Sequence, residues 1–584
     1  MANWLKLPNK TETIYTLRTL PFRERRWVLI LGGLFIISII GLGWKLNDYV
    51  SVIVPAAGGS LREGVIGTPL FINPVLAASD SDRDLTTLIY SGLMRVGADP
   101  SDGRAGGQLI PDLAEKYQVS SDGLTYTFTL KKGLKWQDGE LLTTADIKFT
   151  VDKIQDPLIK SPRRASWEGV NVEVINPNEI SFHLKKPYPS FLETATMGIL
   201  PKHLWSNFNT ETFSLNKLNT EAIGSGPYQI KKVVKNSATG IPEYYNLESF
   251  AGFALGAPYI SYLRINFYTN ENSLIEAYIK RNIDSLSAIS AEHTAQLATV
   301  GAQILQAPLP RVFGVFFNHN QAPVLLNQEV RQALNLAIDR QAIIETTLHG
   351  YGTAIDGPLP TNAIDPVKSA LAADHEASRL IKARQILENG GWTWNETNKL
   401  WQKQGKKDTQ ILAFTISTSD TPELKRATQL IQETWQALGA KIEIKVYEIG
   451  DLTKDIIRPR DYDALFFGQV VGRTPDLYSF WHSSQRQDPG NNIALYTNAD
   501  VDKLLEQLRR ESDPEQTAAL YQKFNQYLAA DLPAVFVYAP DFLYVMPTKV
   551  KNVSLRPINL PADRFLSIYE WYVNTDKIWK IFNH

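Results

Sequence analysis

Eight histidines and 61 acidic residues are the groups with which this 584-residue chain could do acid–base or metal chemistry. Their spacing supports neither. The histidines lie far apart, no pair has the spacing of a helical zinc site, and no His-Glu-x-x-His is present. Cysteine is absent, which removes disulfides, thiolate ligands, a thiol nucleophile and a lipid-modified cysteine anchor together. There is no Walker loop, no Gly-x-Ser-x-Gly elbow and no Gly-x-Gly-x-x-Gly after a strand. Carboxylate pairs abound, but neighbouring carboxylates are mostly solvated surface. The chain carries no catalytic signature, and neither a cofactor nor a metal is expected.

Charge excludes a further class. With 60 basic against 61 acidic residues the net charge is −1, and the signs are mixed along the chain. A general nucleic-acid binder needs a basic excess to displace counterions. The composition, 44% hydrophobic and 21% charged, is that of a folded protein. The length predicts three or four domains.

Trp27 to Trp44 reads WVLILGGLFIISIIGLGW, 18 residues without a charge. As a helix it spans about 27 Å, near the lower limit for a bilayer. Tryptophans at both ends suit the two interfaces. Lys6, Lys10, Arg18, Arg23, Arg25 and Arg26 precede it, against Glu12 and Glu24; Lys45 and Asp48 follow. The positive-inside bias puts residues 1–26 in the cytoplasm as a basic tail, 27–46 in the membrane and the rest outside. Residues 47–60, with Pro55 and Gly58-Gly59, read as a flexible linker. A cleaved signal peptide is the competing reading, since Val54-Pro55-Ala56 offers small residues. The apolar run is longer than a signal core, however, and Ala56 lies 12 residues past Trp44. Both readings export the large domain.

Periodicity outlines the exported part. Leu124, Tyr126, Phe128 and Leu130 alternate with threonines as a half-buried strand. Asp138-Gly139 makes a turn, and Thr143 or Thr144 caps a helix with Ile147, Val151 and Ile154 on one face. Ile180, Phe182 and Leu184 form another strand. Residues 411–417 (strand), 422–438 (helix) and 440–446 (strand) make a strand–helix–strand unit, with Gly439 stopping the helix. Val330, Ala333, Leu334, Ala337 and Ile338 mark an amphipathic helix, and Asp339 caps the next. The class is α/β or mixed α+β, in several lobes.

Four blocks in order carry a resemblance. PDLAEKYQVSSDGLTYTFTLKKGLKWQDGELLTTADIKFTVDKI spans Pro111–Ile154, GSGPY spans Gly224–Tyr228, Asn318 precedes VRQALNLAIDR at Val330–Arg340, and NNIALYTNADVDKLLEQ spans Asn491–Gln507. Together they resemble the family 5 extracellular solute-binding proteins, the oligopeptide, dipeptide and nickel receptors of ABC importers. The resemblance covers residues from about 61 to 572. Each block also has a plain structural reading: a tight turn whose glycines supply unusual backbone angles at GSGPY, a packed hairpin around Trp136 and Asp138-Gly139, and another between Trp392 and Trp401.

The resemblance implies an α/β, two-lobed periplasmic-binding-protein-like clamp of the class II type, with an extra subdomain on lobe 1, after one N-terminal transmembrane helix. Lobe 1 would hold 61–92, 183–310 and 525–584, the extra subdomain 93–182, and lobe 2 311–524, with hinge crossings near 310 and 525. A peptide or other small polar ligand would lie extended between the lobes, paired to backbone as an added strand. ABC permease subunits with their ATPases are the implied partners, with the membrane through the helix and no nucleic acid. The alternatives are a tethered solute receptor for signalling, a peptide-binding chaperone without transport, and an enzyme such as a peptidase.

By the same analogy two segments would line the ligand. The first is Leu76–Asp80, giving Ala78, Ser79 and Asp80. The second is Phe467–Pro475, giving Gln469, Val470, Val471 and Arg473, with Asp476 just beyond. Peptide-binding relatives often carry an Asp before an acidic-Pro pair, for the ligand's α-ammonium. Here that place falls on Val471 or Gly472. Recognition of a free amino terminus is therefore in doubt, and Arg473 offers a planar fork for a carboxylate or phosphate. Trp481 and His482 would face the cleft, as would Asn492 and Tyr496.

Overall fold

The computed structural model describes residues 15, 19–97, 108–188, 190–359, 376–405, 408–472, 476–511, 513–555 and 558–579. The basic tail before Tyr15 lies outside them, and so does Arg473. The chain divides into two compact units, Met1–Ala57 with Tyr572–His584, and Gly58–Trp571.

The small unit is a helix and a ribbon. Phe22–Val50 forms one helix of 29 residues with no buried side chain, long and apolar enough to cross a membrane. Pro21 precedes it, where a missing N–H costs nothing. The segment read as a flexible linker is ordered. Asn47 to Val50 continue the helix, and Ser51–Ala56 is a strand paired antiparallel with Asn574–Trp579. The last strand thus belongs to this unit and not to lobe 1.

In the large unit one 12-stranded sheet runs through both lobes. Its pivot is the long strand Ala534–Val545. Residues 534–538 pair with Arg311–Phe317 on the lobe 2 side, whereas 541–545 pair with Ile304–Pro308. Burial is complete on either side of the half-buried Pro540-Asp541. At this change of partners, beside Pro310 and at Pro540, Leu309 N–H donates to the Pro540 carbonyl at 3.0 Å. Helix Pro514–Asp531 packs Phe524 and Leu528 into the lobe 2 core with Trp481 and Phe536. Proline suits both places, because it cannot donate to a ladder that is changing partners.

Lobe 2 contains the expected crossover. Ala413–Ser419 and Lys441–Tyr447 are parallel neighbours joined by helix Pro422–Leu438. Leu424, Ala427, Ile431, Trp435 and Leu438 are buried, and Gly439 closes the helix at φ 111°. In lobe 1, Ser60–Ile66 runs parallel to both Tyr262–Tyr268 and Ser285–Ser287. Beneath it lies a buried cluster. Arg564 donates to Glu63 at 3.1 Å and to both oxygens of Asp84 at 2.8 and 2.7 Å. Tyr544 and Ser285 also donate to Glu63.

The extra subdomain is a four-stranded antiparallel sheet. Thr125–Leu130 buries alternate residues, as its pattern requires. Thr143 and Asp146 cap helix Thr144–Gln155 reciprocally. Phe128, Trp167, Phe182 and Phe191 pack against one another in tilted and edge-to-face pairs.

GSGPY is a junction, and its glycines do not have the positive φ expected of them. A Cβ on Gly224 would lie 2.0 Å from the Ile89 carbonyl oxygen, and one on Gly226 2.6 Å from the Ile89 carbonyl carbon. Gly226 N–H donates to that same carbonyl, and Gln137 ties Ile89, Gly224 and Tyr228 together. Close backbone approach is the reason for glycine here.

Candidate functional site

The loop before helix Asp80–Ile89 is built on one carboxylate. Asp82 accepts backbone N–H groups from Leu70 at 2.7 Å, Phe71 at 2.9 Å, Ala78 at 3.3 Å and Ser79 at 3.1 Å. Ser79 returns a cap to Asp82. From the subdomain, Ser161 donates to the Val75 carbonyl at 2.6 Å and Arg163 to that of Pro74 at 3.1 Å. Ala78, Ser79 and Asp80 are exposed at the tip of this braced loop. The N–H groups of Ala78 and Ser79 already serve Asp82, and the Ser79 carbonyl accepts the Arg83 N–H as the first bond of the helix.

Across the clamp, Ala464–Val470 pairs with Arg311–Phe317, and Val471 N–H continues the pairing onto Pro310 at 2.9 Å. Val470 is exposed. Gln469 and Val471 are buried, and Val471 belongs to the lobe 2 core. Of the two positions expected to stand where peptide-binding relatives carry an acid, Val471 packs inward. Gly472 follows at φ 80° with open space around it.

Asp476 stands at the wall of a cavity of about 620 Å³ between the subdomain and lobe 2. Its carboxylate is engaged. Arg509 Nε donates to one oxygen at 3.0 Å, Arg509 Nη2 to the other, and Ser479 adds a third bond at 3.1 Å. The guanidinium lies 3.8 Å over the Tyr478 ring, and Tyr478 stacks on His482 with centroids 4.0 Å apart. From the subdomain, Tyr188 and the Ser120–Gly123 turn complete the wall. Burial, then the Asp476 and Glu193 carboxylates, raise the Tyr188 phenol above its usual range. Tyr521, buried and near Asp476, is pushed up to about 12.

Tyr188 and Ser190 also line a second cavity, of about 360 Å³, between lobe 1 and the subdomain. Thr86 Oγ1, Tyr90 Oη, Asp112 Oδ1 and Asn559 Oδ1 reach it buried, without a hydrogen-bond partner among the described residues. Buried polar atoms in such a setting are satisfied by water or by ligand atoms. Desolvation pushes the Asp112 carboxyl up to about 6 despite Arg95 and Lys131. The two cavities meeting at Tyr188 can hold an elongated polar molecule with aromatic faces along it.

The remaining expected site residues are structural. Trp481 is 1% exposed in the lobe 2 core, edge to face with Phe524. Asn492 is fully buried and clamps a turn, donating to the carbonyls of His482 and Tyr496 and accepting the Tyr496 N–H. Tyr496 is buried and donates its hydroxyl to Asp531. These three are buried around the turn at residues 492–496. His482 is mostly buried, and reaches the site only through its stack on Tyr478. Tyr188, Tyr478, Arg509 and Asp82 were missed by sequence reasoning. Asp476 and Arg509 lie 33 positions apart, with nothing local to join them.

The sequence profile of the bacterial extracellular solute-binding proteins, family 5, matches residues 108–492. The chain is similar to the oligopeptide-binding protein AppA of Bacillus subtilis (strain 168), 27% identical over 513 residues, covering 86% of this chain and 90% of that protein. It is also similar to the dipeptide-binding protein of Escherichia coli (strain K12), 23% identical over 520 residues, covering 84% and 91%. The solved structure of Bacillus subtilis AppA with a nonapeptide superposes with a TM-score of 0.64 at 25% identity, over 89% of this chain and 100% of that one.

Proposed function

The chain belongs to the bacterial extracellular solute-binding proteins, family 5, and from that premise we propose that it is the membrane-tethered peptide receptor of an ABC importer. It is a binding protein, not an enzyme. The observation that carries the peptide reading is the clamp itself. Two lobes share the strand Ala534–Val545, and the described cleft wall offers a braced exposed loop at Ala78–Asp80, aromatic faces and an occupied carboxylate. Such a wall suits an extended chain held by its backbone, its side chains read loosely. The relatives named for oligopeptides and dipeptides, and the one solved with a nonapeptide, support this.

The ligand's amino terminus has no carboxylate reserved for it at Val471 or Gly472, and Asp476 is committed to Arg509. That favours an N-blocked peptide, a longer peptide held mid-chain, or another polar molecule as the ligand. Helix Phe22–Val50 is the single-pass tether, with the basic tail in the cytoplasm and the clamp outside, delivering to permease subunits and their ATPases.

The test is mass spectrometry of what co-purifies with the full chain in detergent, with sequencing of the mature amino terminus. Peptides of several lengths and an intact terminus are expected. A single non-peptide solute would sink the peptide reading, and a terminus near Ala57 would sink the tether.

A further inference from the structure

At 29 residues, the helix Phe22–Val50 is about 43 Å long. A hydrocarbon core of about 30 Å takes about 20 of these residues. A span that starts at Trp27 is then used up near Leu46. Asn47 to Val50 are left in the headgroup layer, about 5–7 Å thick on each side.

Exposed aromatic side chains flank that level. Trp44 is 79% exposed and Tyr49 77%, both on the helix, while Trp579, 52% exposed, comes from the other end of the chain. Trp579 lies opposite Ser51 in the ribbon. Its indole turns back along the helix, and Nε1 donates to Asn47 Oδ1 at 2.9 Å. Lys577 reaches Asp48 at 2.7 Å beside it. In water these contacts are too weak to explain the ribbon. An exposed ion pair contributes about 0–1 kcal/mol, and two strands without a core are marginal. Ile53, 63% exposed, finds no core in this unit either. A membrane interface supplies what is missing, because it favours indole and phenol rings with one apolar and one wet side.

We propose that the carboxy-terminal strand is part of the membrane anchor, with Trp579 seated in the headgroup layer of the outer face beside Asn47. This rests on Phe22–Val50 being an uncleaved span.

The chain has no cysteine, so single labels are clean. The full chain carrying Asp576→Cys with a fluorophore is placed in phosphatidylcholine vesicles, with and without a nitroxide on the lipid headgroup. Its emission falls when the nitroxide is present. Trp579→Ser abolishes that quenching, and Trp579→Tyr keeps it. An Ile36→Cys label, read with acyl-chain nitroxide, reports the span separately. Quenching at Ile36 with none at Asp576, or quenching at Asp576 unchanged by Trp579→Ser, overturns the proposal and leaves the span intact. No quenching at Ile36 overturns both.

Discussion

Arg509 grips both carboxylate oxygens of Asp476 with its guanidinium 3.8 Å over the Tyr478 ring. A carboxylate held this way gives little to a ligand ammonium. Acetylating a ligand peptide's amino terminus should therefore weaken binding less than about tenfold, or about 1.4 kcal/mol. Arg509→Ala frees the carboxylate and should create a preference for the unblocked peptide. Calorimetry with matched free and acetylated peptides measures both. Loss of binding to the wild type on acetylation would show that an amino-terminal clamp exists elsewhere in the cleft.

The GSGPY junction predicts a sharp contrast. Gly224→Ala puts a methyl group on the Ile89 carbonyl, and backbone cannot step aside. A loss above about 3 kcal/mol, or failure to fold, is expected. Ser225→Ala between the glycines removes a buried hydroxyl that has no partner among the described residues, and should change stability little. Thermal melts of the two variants decide whether close approach is the reason for glycine.

Arg564 is fully buried between Glu63 and Asp84. Arg564→Met leaves two desolvated carboxylates facing each other, at a cost of about 3–5 kcal/mol. Adding Glu63→Gln and Asp84→Asn should recover part of it. If the triple variant melts no higher than the single one, the arginine's packing and not its charge is what matters.

Asp112 sets a pH dependence with a definite sign. Its folded carboxyl titrates near 6, above its ordinary 3.8, because burial disfavours the charge. Between those values the folded chain holds a proton that the unfolded chain releases. Stability from this group is full below about pH 4 and is lost as pH rises through 6, by up to about 3 kcal/mol. Asp112→Asn should flatten that part of the profile. Parallel melting curves for the wild type and the variant from pH 4 to 7 would refute it.

Ligand should close the clamp. Saturating peptide is expected to make the large unit more compact in solution scattering and to raise its Tm, since ligand binds only the folded state. Identical scattering curves with and without peptide would count against a hinge at Pro310 and Pro540.

What was legible in the sequence was local. The alternation at Thr125–Leu130 and the helical stripe from Leu424 to Leu438 identified their elements, because burial on one face leaves a period. Blocks of family resemblance gave the clamp. Direction was not legible. Trp481 and Tyr496 have the chemistry of a binding wall, yet which way they point depends on packing against Phe524 and on Asp531, far along the chain. The same holds for the ribbon, whose Asp48 and Lys577 are separated by 529 positions. The glycines of GSGPY were readable as constrained but not by what, since the constraint is the end of a remote helix.

The strand Ala534–Val545 also governs the order in which the molecule can be completed. It seals the open edge of Arg311–Phe317 with its first half and that of Ser285–Ser287 with its second. A chain emerging amino end first therefore exposes two unsealed sheet edges until almost its last residues arrive. Such edges invite pairing between copies. Neither half of the clamp is a self-sufficient folding module, and a chain cut short before 534 would fail in both at once.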